Sequence, residues 1–90
     1  MKRETTEELQ ARMQAARNLV PAGLLMRHRR TGTQYVVRGH SLRAGDLRAL
    51  VQYAASYGPV IVFSREIDEV RAKFELSDGE RWPDALGPTP

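Results

Sequence analysis

Six arginines, Arg27, Arg29, Arg30, Arg38, Arg43 and Arg48, fall in residues 24–50 against a single acid, Asp46, for a local net charge of +5. A guanidinium fork donates two parallel hydrogen bonds to a carboxylate or a phosphate, so arginines grouped on one surface suit an anionic partner. Arg27 and Arg29 alternate along an expected strand and so share a face; Arg38 on the next strand is placed to join them, with Arg30 and Arg43 at the flanks. The candidate binding residues are therefore Arg27, Arg29, Arg30, Arg38 and Arg43. Tyr57, in a turn, is the aromatic candidate for a contact. The partner classes that fit are an anionic protein surface, a nucleotide or a nucleic acid. A solvated outer face would carry the same charges, but six arginines against one acid exceed what solubility needs.

Other chemistries find less support. There is no cysteine, which excludes disulfides, thiolate metal sites and cysteine nucleophiles and suits a reducing cytoplasm. His28 and His40 are the only histidines. They lack the H-x-x-x-H type of spacing a metal site uses, so each is read as packed or hydrogen-bonded, and no metal or cofactor is expected. Asp68, Glu69 and Glu75 are read as a solvated acidic face rather than as an acid–base pair. Ser64 has no base beside it and is read as a helix N-cap. Tyr35 and Tyr53 could stack on bases, but the preferred reading makes them sheet residues with their hydroxyls at the edge. No catalytic residue is assigned and the chain is read as non-enzymatic.

The elements that must position these residues follow from length and periodicity. Ninety residues make one domain with a modest core. The polar, charged first ten residues do not resemble a signal peptide, and the longest apolar run, Val60-Ile61-Val62-Phe63, is far too short to span a bilayer. Thr5 and Glu8 form a capping box ahead of a helix ending before Pro21, so residues 1–20 make an N-terminal helical segment. Leu9, Met13, Ala16 and Val20 form its apolar stripe, which could dock on this domain or on a second copy. A homodimer through Leu9, Met13 and Ala16 is one expected use of it. Residues 24–76 read as a β-domain. It has a strand over 24–30, a turn at Thr31-Gly32-Thr33, a strand at Tyr35-Val36-Val37-Arg38 and a strand over about 50–55. A helix capped by Asp46 competes with that third strand. Val60-Ile61-Val62-Phe63 is the strongest strand signal and is expected to run through the core, followed by a short helical turn that tucks in Ile67 and Val70 and a last strand in 71–76. Residues 77–90, rich in Pro, Gly and Asp, read as a flexible tail with Trp82 as its anchor.

Residues 27–39, Arg-His-Arg-Arg-Thr-Gly-Thr-Gln-Tyr-Val-Val-Arg-Gly, resemble the opening of a family of small bacterial and phage proteins of unknown function that begin R-H-x-x-G-x-x-Y-x-V-x-G, with one residue more here between His28 and Gly32. Leu50-Val51-Gln52-Tyr53, Tyr57-Gly58, Val62-Phe63-Ser64-Arg65 and Val70 fall where that family carries its later strands. The resemblance covers about residues 24–74. Met26 and Glu66 stand where the family has an aromatic residue and a proline. What the resemblance implies is a strongly bent antiparallel sheet of about five strands, close to an SH3-like barrel, with no known activity to transfer. With the N-terminal helix, the expected class is α+β. Because the family it resembles includes phage proteins, the expectation for function is a cytoplasmic phage or mobile-element factor that binds and blocks a host defence complex or ligand through the basic hairpin. A nucleic-acid-binding barrel is the alternative.

Overall fold

Thr5 begins the first helix as its type predicts. Its hydroxyl accepts from the Glu8 backbone N–H at 3.1 Å and donates to the Glu8 carboxylate at 3.2 Å, opening α1 (Thr6–Leu19). The structure, a computed structural model, describes residues 4–83. Pro21 ends the helix. The Val20 N–H bonds the Ala16 carbonyl, and the Val20 carbonyl accepts from His40 Nε2 at 2.5 Å. Ala16 and Val20 are buried against the sheet, with Leu9 and Met13 half-exposed beside them. The Ala16–Val20 end of the stripe therefore serves this chain's own core, and Leu9 and Met13 stay outside the core cluster. Ala16, expected to contribute to a contact between copies, is enclosed within the chain and cannot reach one.

Five strands follow: β1 (Leu25–His28), β2 (Gln34–Leu42), β3 (Ala49–Ala55), β4 (Phe63–Glu66) and β5 (Phe74–Leu76). They form one antiparallel sheet in the order β4-β3-β2-β1-β5. A second helix, α2 (Ile67–Lys73), joins β4 to β5 and touches β3, β4 and β5. The sheet curls into a half-barrel whose edges, β4 and β5, do not pair with each other; α2 bridges the opening. This is a small α+β fold with a strongly bent sheet, as expected. The register of β2 on β3 slips between Val37 and Gly39, and a bulge of this kind sharpens the local twist and bend.

Alternation selects the core. Val37, Val51 and Tyr53 face inward from β2 and β3, Met26 from β1, and Phe74 and Leu76 from β5, with Val20 and Val70 arriving from the two helices. Tyr35 and Tyr53 sit in this core rather than on a stacking surface. Tyr35 meets Tyr53 and Phe74 edge-on at 5.5 and 5.4 Å between ring centroids, and Tyr53 stacks on Phe63 at 5.7 Å. The Ile67 and Val70 side chains tuck inward as anticipated.

Four local expectations are corrected. The first strand ends at His28, not Arg30: Gly32 at φ 76° allows a left-handed turn that L side chains resist, and its N–H bonds the His28 carbonyl. Val60, Ile61 and Val62 form no strand and lie at the surface. Pairing with β3 begins only at Phe63, opposite Tyr53, because there a ring stack and the Arg65 Nε–Tyr53 hydroxyl bond (2.9 Å) hold the strand, while Phe74, Met26 and Val70 already fill the interior. Ser64 consequently lies in β4 rather than capping a helix. The helix starts at Ile67 behind Glu66, which makes no side-chain cap bond, and runs on through residues 71–73 that were expected to be strand. At the end of the described chain the Trp82 indole N–H donates to the Phe74 carbonyl at 3.0 Å and its ring packs on the core. Of the expected tail, residues 84–90 lie outside the described residues.

Candidate anion-binding face

The six arginines divide into groups with different duties. Arg27 projects from β1 on the outward face, beside Glu75 on β5: its Nε donates to Glu75 Oε1 at 2.9 Å and its Nη2 lies 2.8 Å from the same oxygen. Arg29, in the hairpin turn, brings Nη1 to 3.8 Å from Glu75 Oε2. Its Nε donates to the Ala72 carbonyl at 3.1 Å and its Nη2 to the Arg71 carbonyl at 3.5 Å, while its backbone N–H bonds the Lys73 carbonyl. The last carbonyls of a helix lack partners within it, so Arg29 acts as a C-terminal cap of α2. Two guanidinium groups thus share one carboxylate.

Arg30 and Arg38 are exposed and, among the described residues, neither makes a side-chain hydrogen bond or ion pair. Arg38 stands at the β2 bulge. Arg27 lies opposite Gln34, so Arg38 is four residues along β2 from that pairing, about 13 Å away. The hairpin therefore carries its cations along its length rather than at one point.

Sequence reasoning missed the cations that reach this side from the acidic C-terminal third. A cleft of about 420 Å³ is lined by Arg29, Arg71 and Arg81 with Glu75, Glu80 and Trp82. Arg71 sits over the Trp82 ring, 5.9 Å from its centroid, and bonds the Pro83 carbonyl. Summing charge by segment hides this convergence, since residues 64–90 are net −3. Trp82 was the one available signal: an aromatic anchor carries its neighbours onto the sheet.

Arg43 belongs to a different site. It lies in the β2–β3 loop, where its Nη2 is 2.5 Å from Asp46 Oδ2 and 3.6 Å from Glu66 Oε2; Arg48 completes the network through Glu66 Oε1 at 2.9 Å. The Arg43 hydrogen bond, reinforced by the Arg48 backbone N–H, holds the Asp46 carboxyl well below the usual carboxylate range, and the same bond raises Arg43. Two cations on two carboxylates leave little net field there. Leu47 in this loop adopts φ 59°, with its carbonyl accepting from Arg12 Nη1 at 2.7 Å.

The remaining candidates are placed elsewhere. Tyr57 is exposed in the β3–β4 turn, one residue after Ser56, whose N–H bonds the Gln34 carbonyl. His28 meets Phe74 edge-on at 5.0 Å, and its Nδ1 accepts from the Arg30 N–H at 3.2 Å; His40 is the clamp on Val20. Burial raises the Tyr53 phenol, opposed by its bond from Arg65. Among the described residues no three His, Asp or Glu side chains gather as metal ligands, and no helix is long and apolar enough to cross a membrane. Compared with known proteins, the chain matches no family model, no curated protein and no solved structure.

Proposed function

We propose that the chain is a non-enzymatic binding module that engages an anionic protein surface through the outward face of its β1–β2 hairpin. The observation that carries this reading is the set of exposed cations with no partner among the described residues: Arg30 and Arg38 on the hairpin and Arg81 beside the cleft, next to Arg27 and Arg29, which outnumber Glu75. Fixed positive charge of this kind steers an anionic partner and orients it. A protein partner is favoured over nucleic acid because Tyr35 and Tyr53, which an SH3-like nucleic-acid barrel would use to stack bases, are engaged in the core ring cluster. The resemblance to phage-borne proteins makes a host defence complex the first partner to seek.

The test is fluorescence anisotropy with two labelled probes, a poly-glutamate peptide and a single-stranded oligonucleotide, over a salt series. Poly-glutamate should bind, and replacing Arg27, Arg30 and Arg38 together by Ala should weaken it at least about ten-fold, while Arg43→Ala changes nothing. An oligonucleotide that binds more tightly, with affinity falling steeply in salt, moves the reading to nucleic acid. Absence of binding to either probe, or equal loss in Arg43→Ala, rejects the basic-face reading.

A further inference from the structure

The segment before β4 is the least explained surface of the molecule. Tyr57, Val60, Ile61, Val62 and Phe63 are 77%, 65%, 60%, 51% and 45% exposed. Val60 to Phe63 are consecutive, Tyr57 lies three residues before them, and the run leads into β4, the terminal strand of the sheet. Five large apolar side chains in one exposed run are more than scattered surface hydrophobes, and such patches mark interaction sites. The backbone beside them is unpaired as well. The β3–β4 ladder stops at Tyr53 and Phe63 although β3 continues to Ala55, and among the described residues no turn, loop or cap bond involves the backbone of Val60, Ile61 or Val62.

We propose that residues 60–66 are a homodimer contact, in which the edge of β4 and its preceding segment pair antiparallel with the same segment of a second copy. Three observations select this occupant. Residues 51–63 carry no formal charge, so the patch offers nothing to the anionic partner that the arginines attract, whereas an apolar surface matches its own copy. A strand edge is self-complementary across a two-fold axis, because antiparallel pairing exchanges N–H and C=O groups between identical segments. An axis through Phe63 would set Ile61 across from Arg65 and Val60 across from Glu66, so no like charges face each other. The area is of the right order. At these exposures Val60, Ile61, Val62 and Phe63 offer roughly 400 Å² per copy, so their side chains cover about 800 Å² in the pair, and the paired β4 edge brings the total toward the roughly 1,000 Å² a specific interface needs. The contact is on β4, and the hairpin arginines stand on or between β1 and β2.

Light scattering coupled to size-exclusion chromatography tests this. At about 100 µM the chain should elute at twice its monomer mass, and Ile61→Asp with Val62→Asp should halve that mass. Both positions are exposed, so an unchanged far-ultraviolet circular dichroism spectrum verifies the fold. Leu9→Asp with Met13→Asp should leave the dimer intact. In the wild-type chain, hydrogen exchange of residues 60–64 should slow as concentration rises, and that of residues 74–76 should not. A monomer at this concentration, a dimer that survives the Ile61 and Val62 substitutions, a dimer lost only in the Leu9 and Met13 variant, or concentration-independent exchange at residues 60–64 overturns the proposal.

Discussion

The two edges of the one sheet are finished in opposite ways. At β5 the outward backbone groups are satisfied inside the chain: the Phe74 N–H bonds Val70, the Phe74 carbonyl accepts from the Trp82 indole, and the Leu76 carbonyl accepts from Gly79 N–H. The strand is three residues long, and arginines ring it. These are the usual protections of an edge: shortness, charge and cover. At β4 the strand is preceded by an exposed apolar run with no charge until Arg65. One edge is closed by its own chain and the other is left open. Exposure alone would not separate the two, since Arg30 and Ile61 are both exposed. Chemistry does: one edge carries arginines, and the other excludes water only when another apolar surface covers it.

Opening the closed edge should give the largest effect on stability. Trp82→Ala removes a half-buried ring from the core and the donor to the Phe74 carbonyl. Urea denaturation should show a loss of about 2–3 kcal/mol, from apolar area and one unmade hydrogen bond together. Amides of residues 74–76 should lose exchange protection, making the β5 edge resemble that of β4. A loss under about 0.5 kcal/mol would mean that Trp82 covers nothing of consequence.

At the open edge the same treatment should do much less. Phe63→Ala keeps the β3 pairing but removes the ring stacked on Tyr53. A half-exposed ring loses only part of its burial, so about 1 kcal/mol is expected from thermal or urea unfolding of the monomer. Ile61→Ala, which touches no core residue cluster, should stay within about 0.5 kcal/mol. If Ile61→Ala matched Trp82→Ala in the monomer, residues 60–62 would belong to the core and the contrast between edges would fail.

The same contrast explains what was legible in the sequence. The Thr5 cap, the Ala16–Val20 end of the helix stripe and the inward set Val37, Val51 and Tyr53 obey local rules of capping and alternation, and the structure uses them as such. Val60-Ile61-Val62-Phe63 has the composition of a buried strand, and composition cannot say whether room remains inside. Phe74, from a segment with a weaker strand signal, fills the space that run was expected to occupy. The hairpin arginines were visible as a cluster along the chain, but partners decide their duties. Glu75 and the α2 carbonyls engage Arg29, and Glu66 engages Arg43, across sequence gaps that no short-range pattern encodes; only Asp46 lies within local reach of Arg43. Arg71 and Arg81 joined the basic side for the same reason, through the fold of β5 and the seating of Trp82.

The smallest effect is expected at the far end of β4, where Glu66 ties the strand to the β2–β3 loop through Arg43, Arg48 and Asp46. The Asp46 carboxyl titrates below its ordinary value near 3.8 because Arg43 and the Arg48 N–H bond its ionised form. A carboxylate depressed by folding adds stability that is fully present at neutral pH, above the unfolded value, and that declines as pH falls toward the folded value. Exposure and salt keep that contribution small. Asp46→Asn should therefore be slightly less stable than the wild type at pH 7, and the gap should narrow as pH drops below about 4, where the unfolded carboxyl takes up its proton. Thermal melts of both proteins between neutral and acid pH, repeated in high salt, measure this directly. A gap that stays constant into acid would assign the loss to packing of the loop around Leu47 rather than to charge, and would detach the β4 edge from the ion-pair network at its end.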